Sequence, residues 1–130
     1  MPYDCNIQEH QDHVRVEVSG NSVPGKELDD AIGVLSQIAH FCNEKLIFRI
    51  LAIWDVPGHL PSITGYNIVD FANRTDWGID FKLAIVYTHK ERFTDALFVE
   101  TAAVNRRYRV KMFENEKEAK TWLLRSRKRK

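Results

Sequence analysis

The hydrophobic residues of this chain fall into short apolar runs separated by amphipathic stretches. The runs Leu46–Trp54 and Phe81–Tyr87 are almost continuously apolar, which is typical of strands covered on both faces in a parallel sheet. In His13–Ser19, three valines alternate with polar residues and predict a strand with one buried face. Tyr3–Gln8 predicts its antiparallel hairpin partner at the sheet edge, and Tyr108–Phe113 predicts the last strand.

Four helices are predicted between and after these strands. Apolar residues recur with a 3.6-residue period from Leu28 to Cys42, and a weaker pattern runs from Ile63 to Ala72. Gly33 lies inside the first pattern at a cost of about 1 kcal/mol relative to Ala, and close packing on the sheet would explain it. The last two patterns place on one face Phe93, Ala96, Leu97, Thr101 and Val104, and then Ala119, Trp122 and Leu123.

Two of the predicted helices have sequence signals for their first turn. Thr88 and Glu91 have the Thr-x-x-Glu spacing of a capping box before the third helix. Asn115 and Glu118 have the same spacing before the fourth helix. Both pairs are therefore expected to satisfy backbone amides that lack a partner within the helix.

The predicted order of elements is β-β-α-β-α-β-α-β-α. Strands that alternate with helices imply right-handed crossovers, so we predict an α/β fold with a mixed, mostly parallel five-stranded sheet flanked by four helices. The length of 130 residues fits one domain. We assign residues 1–124 to this domain and residues 125–130 to a basic C-terminal tail, which has five cations in six residues.

Composition narrows the classes of function. The formal net charge of +1 argues against a dedicated nucleic-acid binder, which would be basic overall, and no specific nucleic-acid partner is expected. Cys5 and Cys42 are too few for a disulfide framework and match no zinc spacing, and we expect Cys42 to be buried and reduced. No signal-peptide pattern and no apolar run near the ~18 residues of a membrane span are present, so we expect a cytoplasmic protein.

The segment from Asp55 to Gly65 is the best candidate for a functional site, because α/β folds place ligands and switches where parallel strands end. Ser62 follows His59 and Asp55 within this segment, but no Gly-x-Ser-x-Gly elbow is present. We therefore interpret Ser62 as a helix-capping residue and expect no enzymatic activity. The chain also lacks a glycine-rich phosphate loop, and no cofactor is expected.

Three further features have two interpretations each. His10, Asp12 and His13 in the first hairpin turn could contact a metal ion, although a solvated turn fits better because zinc needs three or four ligands in fixed geometry. Trp54 and Trp77 could line a small apolar cleft or close the end of the core. The basic tail could meet phosphate or an anionic surface, or it could simply keep the chain in solution.

The chain resembles the small bacterial SpoIIAA-like branch of the STAS-domain family, also described as STAS/SEC14-like. Three stretches support the resemblance: Val14–Gly20 (VRVEVSG), Phe81–Tyr87 (FKLAIVY) and Phe98–Leu123. In the last stretch, a Glu-x-x-Ala-Val-Asn-Arg helix leads into a strand and then into an acidic helix that ends in Trp-Leu. The resemblance covers nearly the whole chain in layout.

The resemblance implies a non-enzymatic regulatory module that docks a partner protein. Anti-sigma-factor antagonists with this fold are switched by phosphorylation of a Ser or Thr at the start of the helix after the central strand. The corresponding residues in this chain would be Asp55, Gly58, Ser62, Thr64 and Gly65, with Ser62 or Thr64 as the phosphate acceptor.

An alternative implied by the SEC14 part of the name is the binding of a small apolar ligand or lipid. The cleft at the carboxyl edge of the sheet would then be lined by Trp54, Tyr66, Phe71 and Trp77. The edge strand Tyr3–Gln8 would also allow two copies to pair as a homodimer.

Overall fold

The computed structural model describes residues 3–21, 23, 25–72, 74 and 77–125. Its elements follow the predicted order, and the predicted α/β fold is confirmed. The elements are β1 (Asp4–Glu9), β2 (Val14–Ser19), α1 (Glu27–Lys45), β3 (Arg49–Asp55), α2 (Ser62–Ala72), β4 (Lys82–Tyr87), α3 (Lys90–Asn105), β5 (Arg109–Phe113) and α4 (Glu116–Leu124).

The five strands form one mixed sheet in the order β1-β2-β3-β4-β5. β1 and β2 pair as an antiparallel hairpin, and β2 to β5 are parallel to one another. β3 therefore lies at the centre, as its apolar sequence predicts. Because consecutive parallel strands are neighbours, right-handed crossovers place the three connecting helices on one face of the sheet.

The sheet separates two apolar cores. The larger core joins the valines of β2 and Ile50 of β3 to the buried faces of α1, α2 and α3. The smaller core joins Leu51 of β3 and Ala84 of β4 to Ala119 and Leu123 of α4 on the opposite face. Because β3 contributes to both cores, its consecutive residues Ile50 and Leu51 are both fully buried, and each such side chain stabilises the fold by roughly 1.5–3 kcal/mol.

The polar face of β2 is linked to α4 by an ion pair. Arg15 Nε and Nη2 donate to Glu116 Oε2 and Oε1 at 2.9 and 3.1 Å, and Arg15 also pairs with Glu17. The guanidinium of Arg15 lowers the pKa of Glu116. At the start of α4, Asn115 Oδ1 accepts from the Glu118 amide at 3.0 Å, so the predicted cap is confirmed.

The central strand begins three residues later than the apolar run predicts. Leu46 adopts a left-handed conformation (φ 59°, ψ 40°) that ends α1, and its side chain is 73% exposed. The amide of Ile47 then bonds to the carbonyl of Cys42 at 3.2 Å. Residues 46–48 therefore form the exit from α1 and not the start of β3, because the left-handed turn at Leu46 ends the helix there.

Two predictions about helix faces are wrong. In α3, Ala96 is buried as predicted, but Leu97, Thr101 and Val104 are exposed, and Arg92 and Ala103 complete the buried face. Gly33 does not pack on the sheet, because a Cβ built at this exposed position would meet no atom within 4 Å. The glycine that permits close packing is Gly65 in α2.

The remaining general expectations concern the cysteines, the membrane and the tail. Cys42 is a free thiol in the larger core, as predicted, and burial raises its pKa to about 11. Cys5 is also a free thiol and is partly buried. Across the described ranges, no helix is both long enough and apolar enough to span a bilayer. Within the predicted tail, residues 126–130 lie outside the described residues.

Candidate functional site

The candidate site begins where β3 ends, at the carboxyl edge of the sheet. β3 and β4 are parallel neighbours, and Trp54 pairs in register with Tyr87. The residues that follow these two strands therefore meet at one edge. Residues 56–61 form the loop that leads from β3 into α2.

Asp55 connects the ends of β3 and β4. Its Oδ1 accepts a hydrogen bond from Thr88 Oγ1 at 2.7 Å and lies 2.9 Å from His89 Nε2. The hydrogen bond from Thr88 and then that from His89 lower the pKa of Asp55. This solvent-exposed carboxylate is therefore held in one orientation and favours its charged form.

Two carboxylates of α3 attach the loop to that helix. Glu91 Oε2 accepts from the Gly58 amide at 3.1 Å, and Asp95 Oδ2 accepts from the Leu60 amide at 2.7 Å. His59 Nδ1 also lies 2.8 Å from Asp95 Oδ2. Gly58 has φ 94°, a left-handed conformation that glycine adopts at little cost. The loop is consequently fixed at three successive residues.

The predicted capping box at the start of α3 is wrong. His89 precedes α3 and provides no side-chain cap, while Thr88 and Glu91 bond to Asp55 and Gly58 respectively. Hydrogen bonds from its own backbone amide and from Gly58 lower the pKa of Glu91. The two residues thus support the β3–α2 loop, which a local spacing pattern cannot reveal.

Three of the five predicted switch residues lie in the first turn of α2, whereas Asp55 ends β3 and Gly58 lies in the loop. Ser62 is exposed, Thr64 is partly buried and Gly65 is buried. A Cβ at Gly65 would lie 2.6 Å from Val99 Cγ2, so this glycine allows α2 to approach α3 closely. His59 pairs with Asp95 and Asp55 pairs with His89, so the described residues do not form a serine–histidine–aspartate relay at Ser62.

Exposed apolar side chains flank the seam between α2 and α3. Ile63 and Tyr66, one helical turn apart, are 66% and 43% exposed. Phe98 on α3 is 47% exposed, and its ring lies 4.0 Å from the Cβ position of Gly65. We call Ile63, Tyr66 and Phe98 the α2–α3 patch. Tyr66 also accepts from Arg106 Nη2 at 3.1 Å, and the guanidinium lies 5.0 Å from its ring centroid.

A separate cavity of about 90 Å³ lies inside the larger core, between the sheet and the three helices that cover it. Trp54 and Trp77 are among its lining residues, which are mainly apolar. Tyr66 and Phe71 do not line it, and Tyr66 instead belongs to the outer surface. The structure therefore brings together two of the four residues predicted to form a pocket.

The histidines of the first hairpin turn adopt a different arrangement from the one predicted. His13 is buried, its Nδ1 lies 2.8 Å from Asp12 Oδ1, and its ring stacks on His10 at 4.8 Å. The interpretation as a wholly solvated turn is therefore wrong for His13. Within the part of the chain that the structure describes, no group of three or more side chains has the geometry of a metal site.

Sequence reasoning missed Asp95 and Phe98, and it assigned Glu91 to a helix cap and not to the loop. The two carboxylates lie about one turn apart on a helix that is remote in sequence from the loop they bind. Phe98 was not on the face predicted to be buried. A large apolar residue outside that face was the signal available in the sequence, because such a residue is expected to be exposed, as Phe98 is. The sequence matches no protein-family model, and comparison with curated proteins finds no match.

The hydrogen bond from Thr88 is expected to control the titration of Asp55. Because the folded pKa of Asp55 is lowered, its stabilising contribution is present above the unfolded value of about 3.9 and is lost as the pH falls through the folded pKa. In Thr88→Val, the midpoint measured by carboxyl-carbon NMR should rise. Thr94→Val, which removes a hydroxyl that donates to the Lys90 carbonyl, should leave the midpoint unchanged. An unchanged midpoint in Thr88→Val would contradict the assignment.

Proposed function

We propose that this protein is a non-enzymatic docking module that binds a second protein through the α2–α3 patch and the adjoining loop 56–61. The observation that supports the proposal best is the patch itself, in which Ile63 and Tyr66 of α2 are exposed and Phe98 of α3 is exposed next to Gly65. Contiguous apolar surface on a soluble protein commonly marks an interaction site, and aromatic side chains are enriched at such sites. The occupant is a protein surface that presents apolar side chains to this patch.

The attachment of the loop also supports docking. Asp55, Glu91 and Asp95 hold the segment between β3 and α2 through hydrogen bonds to side chains and backbone amides. A surface that is already ordered loses less conformational entropy when a partner binds. The loop and the first turn of α2 are therefore already ordered next to the patch before a partner binds.

Phosphorylation of Ser62 is the regulation that we propose for this surface, with Thr64 as the alternative acceptor. Ser62 is exposed, whereas Thr64 is partly buried. Asp95 already places a carboxylate against the Leu60 amide just before α2. A phosphate on Ser62 would add about −2 charge two residues along the chain from that bond, and repulsion from the Asp95 carboxylate would weaken the attachment of the loop to α3. The resemblance to anti-sigma-factor antagonists agrees with a switch at this position.

Site-specific photo-crosslinking tests the docking proposal. A photoreactive phenylalanine at Ile63, expressed in the native host, should give one discrete adduct with another protein. The same probe at Leu46, which is also exposed but lies at the opposite end of the sheet, is the matched control. Adding Ser62→Glu should reduce the amount of adduct at position 63, because the introduced negative charge weakens the attachment of the adjoining loop to α3.

Two outcomes would contradict docking, and a third would contradict only its regulation. Identical adducts from positions 63 and 46 would show that the patch has no specificity. An adduct of two copies of this chain would indicate self-association instead of a second protein. If Ser62→Glu leaves the adduct unchanged and phosphosite mapping finds no phosphate on Ser62 or Thr64, the regulatory part is wrong while docking stands.

Binding of a small apolar molecule is a second candidate function, favoured by the apolar cavity beside Trp54 and Trp77. A volume of about 90 Å³ is suited to a molecule with few heavy atoms and not to a lipid chain. Native mass spectrometry of freshly purified protein separates the two candidates. A co-purified small apolar adduct favours the cavity, and a bare mass favours docking alone.

A further inference from the structure

A row of three cations crosses the amino edge of the sheet, at the end opposite to the docking site. Arg49 begins β3, Lys82 begins β4 and Arg109 begins β5, and the three residues pair directly in register. Neighbouring strands lie about 4.8 Å apart, so the row spans roughly 10 Å. Like charges placed directly opposite each other destabilise a sheet, so this arrangement needs a compensating interaction.

The contacts of these cations compensate the charge only in part. Lys82 Nζ donates to the carbonyl oxygens of Trp122 and Arg125 at 2.8 and 3.4 Å, and Arg109 Nη2 donates to the carbonyl of Asp80 at 2.7 Å. Among the described residues, neither Arg49 nor Arg109 forms an ion pair with a carboxylate. Backbone carbonyls carry no formal charge, so Arg49 and Arg109 keep a positive field at this edge of the sheet.

The row lies in an open groove of about 920 Å³, which we call the basic groove. Phe48 and Trp122 contribute aromatic surface to its walls, Arg125 adds a fourth cation, and Asp80 is the acidic residue of its lining. Lys82 also lies 4.6 Å from the ring centroid of Trp122 and holds the end of α4 beside the groove. The sequence continues from Arg125 into four further cations, Arg127, Lys128, Arg129 and Lys130.

We propose that the basic groove binds single-stranded nucleic acid without sequence preference. Proteins of this kind combine a positively charged groove, which follows the phosphate backbone, with aromatic side chains on which bases stack. The cations at the strand starts are half-buried within a concave surface. A flexible strand can enter such a groove, whereas the flat surface of a membrane would meet only its rim.

Fluorescence anisotropy with a labelled oligouridylate tests the proposal on the full chain. Binding should weaken with salt, and three phosphate contacts in the groove should contribute about −2 to the slope of log K against log[salt]. Arg49→Gln should weaken binding about fivefold at about 0.1 M salt and make the slope shallower by about 0.7, because one contact is lost. Arg49→Lys, which keeps the charge, should retain most of the affinity.

Lys90→Gln is the matched control, since it removes the same charge at the opposite edge of the sheet, where α3 begins. It should leave affinity and salt slope unchanged. An equal loss in Arg49→Gln and Lys90→Gln would show that only net charge matters and would overturn the proposal.

The contribution of the tail is separated by a second variant. Changing Arg127, Lys128, Arg129 and Lys130 together to Ser should reduce affinity while leaving the effect of Arg49→Gln intact. The proposal is overturned if this tail variant abolishes binding and Arg49→Gln has no effect of its own. It is also overturned if phosphatidylserine vesicles bind the protein and the oligouridylate does not. Thermal unfolding of each variant verifies that the fold is retained.

Discussion

Gly65→Ala is expected to destabilise the protein, whereas Gly33→Ala is expected to stabilise it. At Gly65, the new methyl carbon would lie 2.6 Å from Val99 Cγ2, and the β-branched valine has little freedom to move away. Overpacking of this kind costs about 1–3 kcal/mol. The better helix propensity of alanine offsets about 1 kcal/mol of this cost, so we expect a net loss of up to about 2 kcal/mol in the free energy of unfolding.

Gly33 is the matched control because it also lies inside a helix. Its Cβ position is open, so only the propensity term applies and alanine should add about 0.5–1 kcal/mol. Urea denaturation of both variants measures the two changes. Changes of the same sign in the two variants would contradict the close approach of α2 to α3. Because Gly65 also sets the spacing of the α2–α3 patch, Gly65→Ala should reduce cross-linking from Ile63.

Leu123→Ala is expected to have the largest effect on stability that we predict. Leu123 is fully buried and packs in the smaller core with Leu51, Ala84 and Val86. Truncating a buried leucine costs about 2–5 kcal/mol, because transfer energy is lost and a cavity remains. The smaller core contains few residues, so little material is available to fill that cavity.

The neighbouring residue Leu124 provides the control for this prediction. Leu124 is only partly buried at the margin of the same core, so Leu124→Ala should cost clearly less. Denaturation gives the two free energies, and hydrogen exchange of α4 reports whether that helix opens locally. Equal losses in the two variants would contradict the assignment of Leu123 to the centre of the core. Loosening of α4 should also weaken oligouridylate binding, because α4 places Trp122 and Arg125 at the basic groove.

The net charge of +1 was a poor guide to the charged surfaces of this protein. Acidic residues support the loop at the carboxyl edge through Asp55, Glu91 and Asp95, while cations gather at the amino edge. The nearly neutral net charge therefore does not reveal that acidic residues lie at one edge of the sheet and basic residues at the other. This segregation makes docking of a protein at one edge compatible with binding of a polyanion at the other.

The sequence by itself determined the order of the elements, the parallel sheet and the central place of β3, because periodicity and apolar runs are local properties of the chain. It also located the segment Asp55–Gly65 at the carboxyl edge, since that position follows from the topology. Only the tertiary structure decided which side chains meet there. Thr88, Glu91 and Asp95 support the loop from sequence positions more than 30 residues away, and Arg49, Lys82 and Arg109 become neighbours only through strand register. Such contacts depend on the packing of whole elements, and no local pattern encodes them.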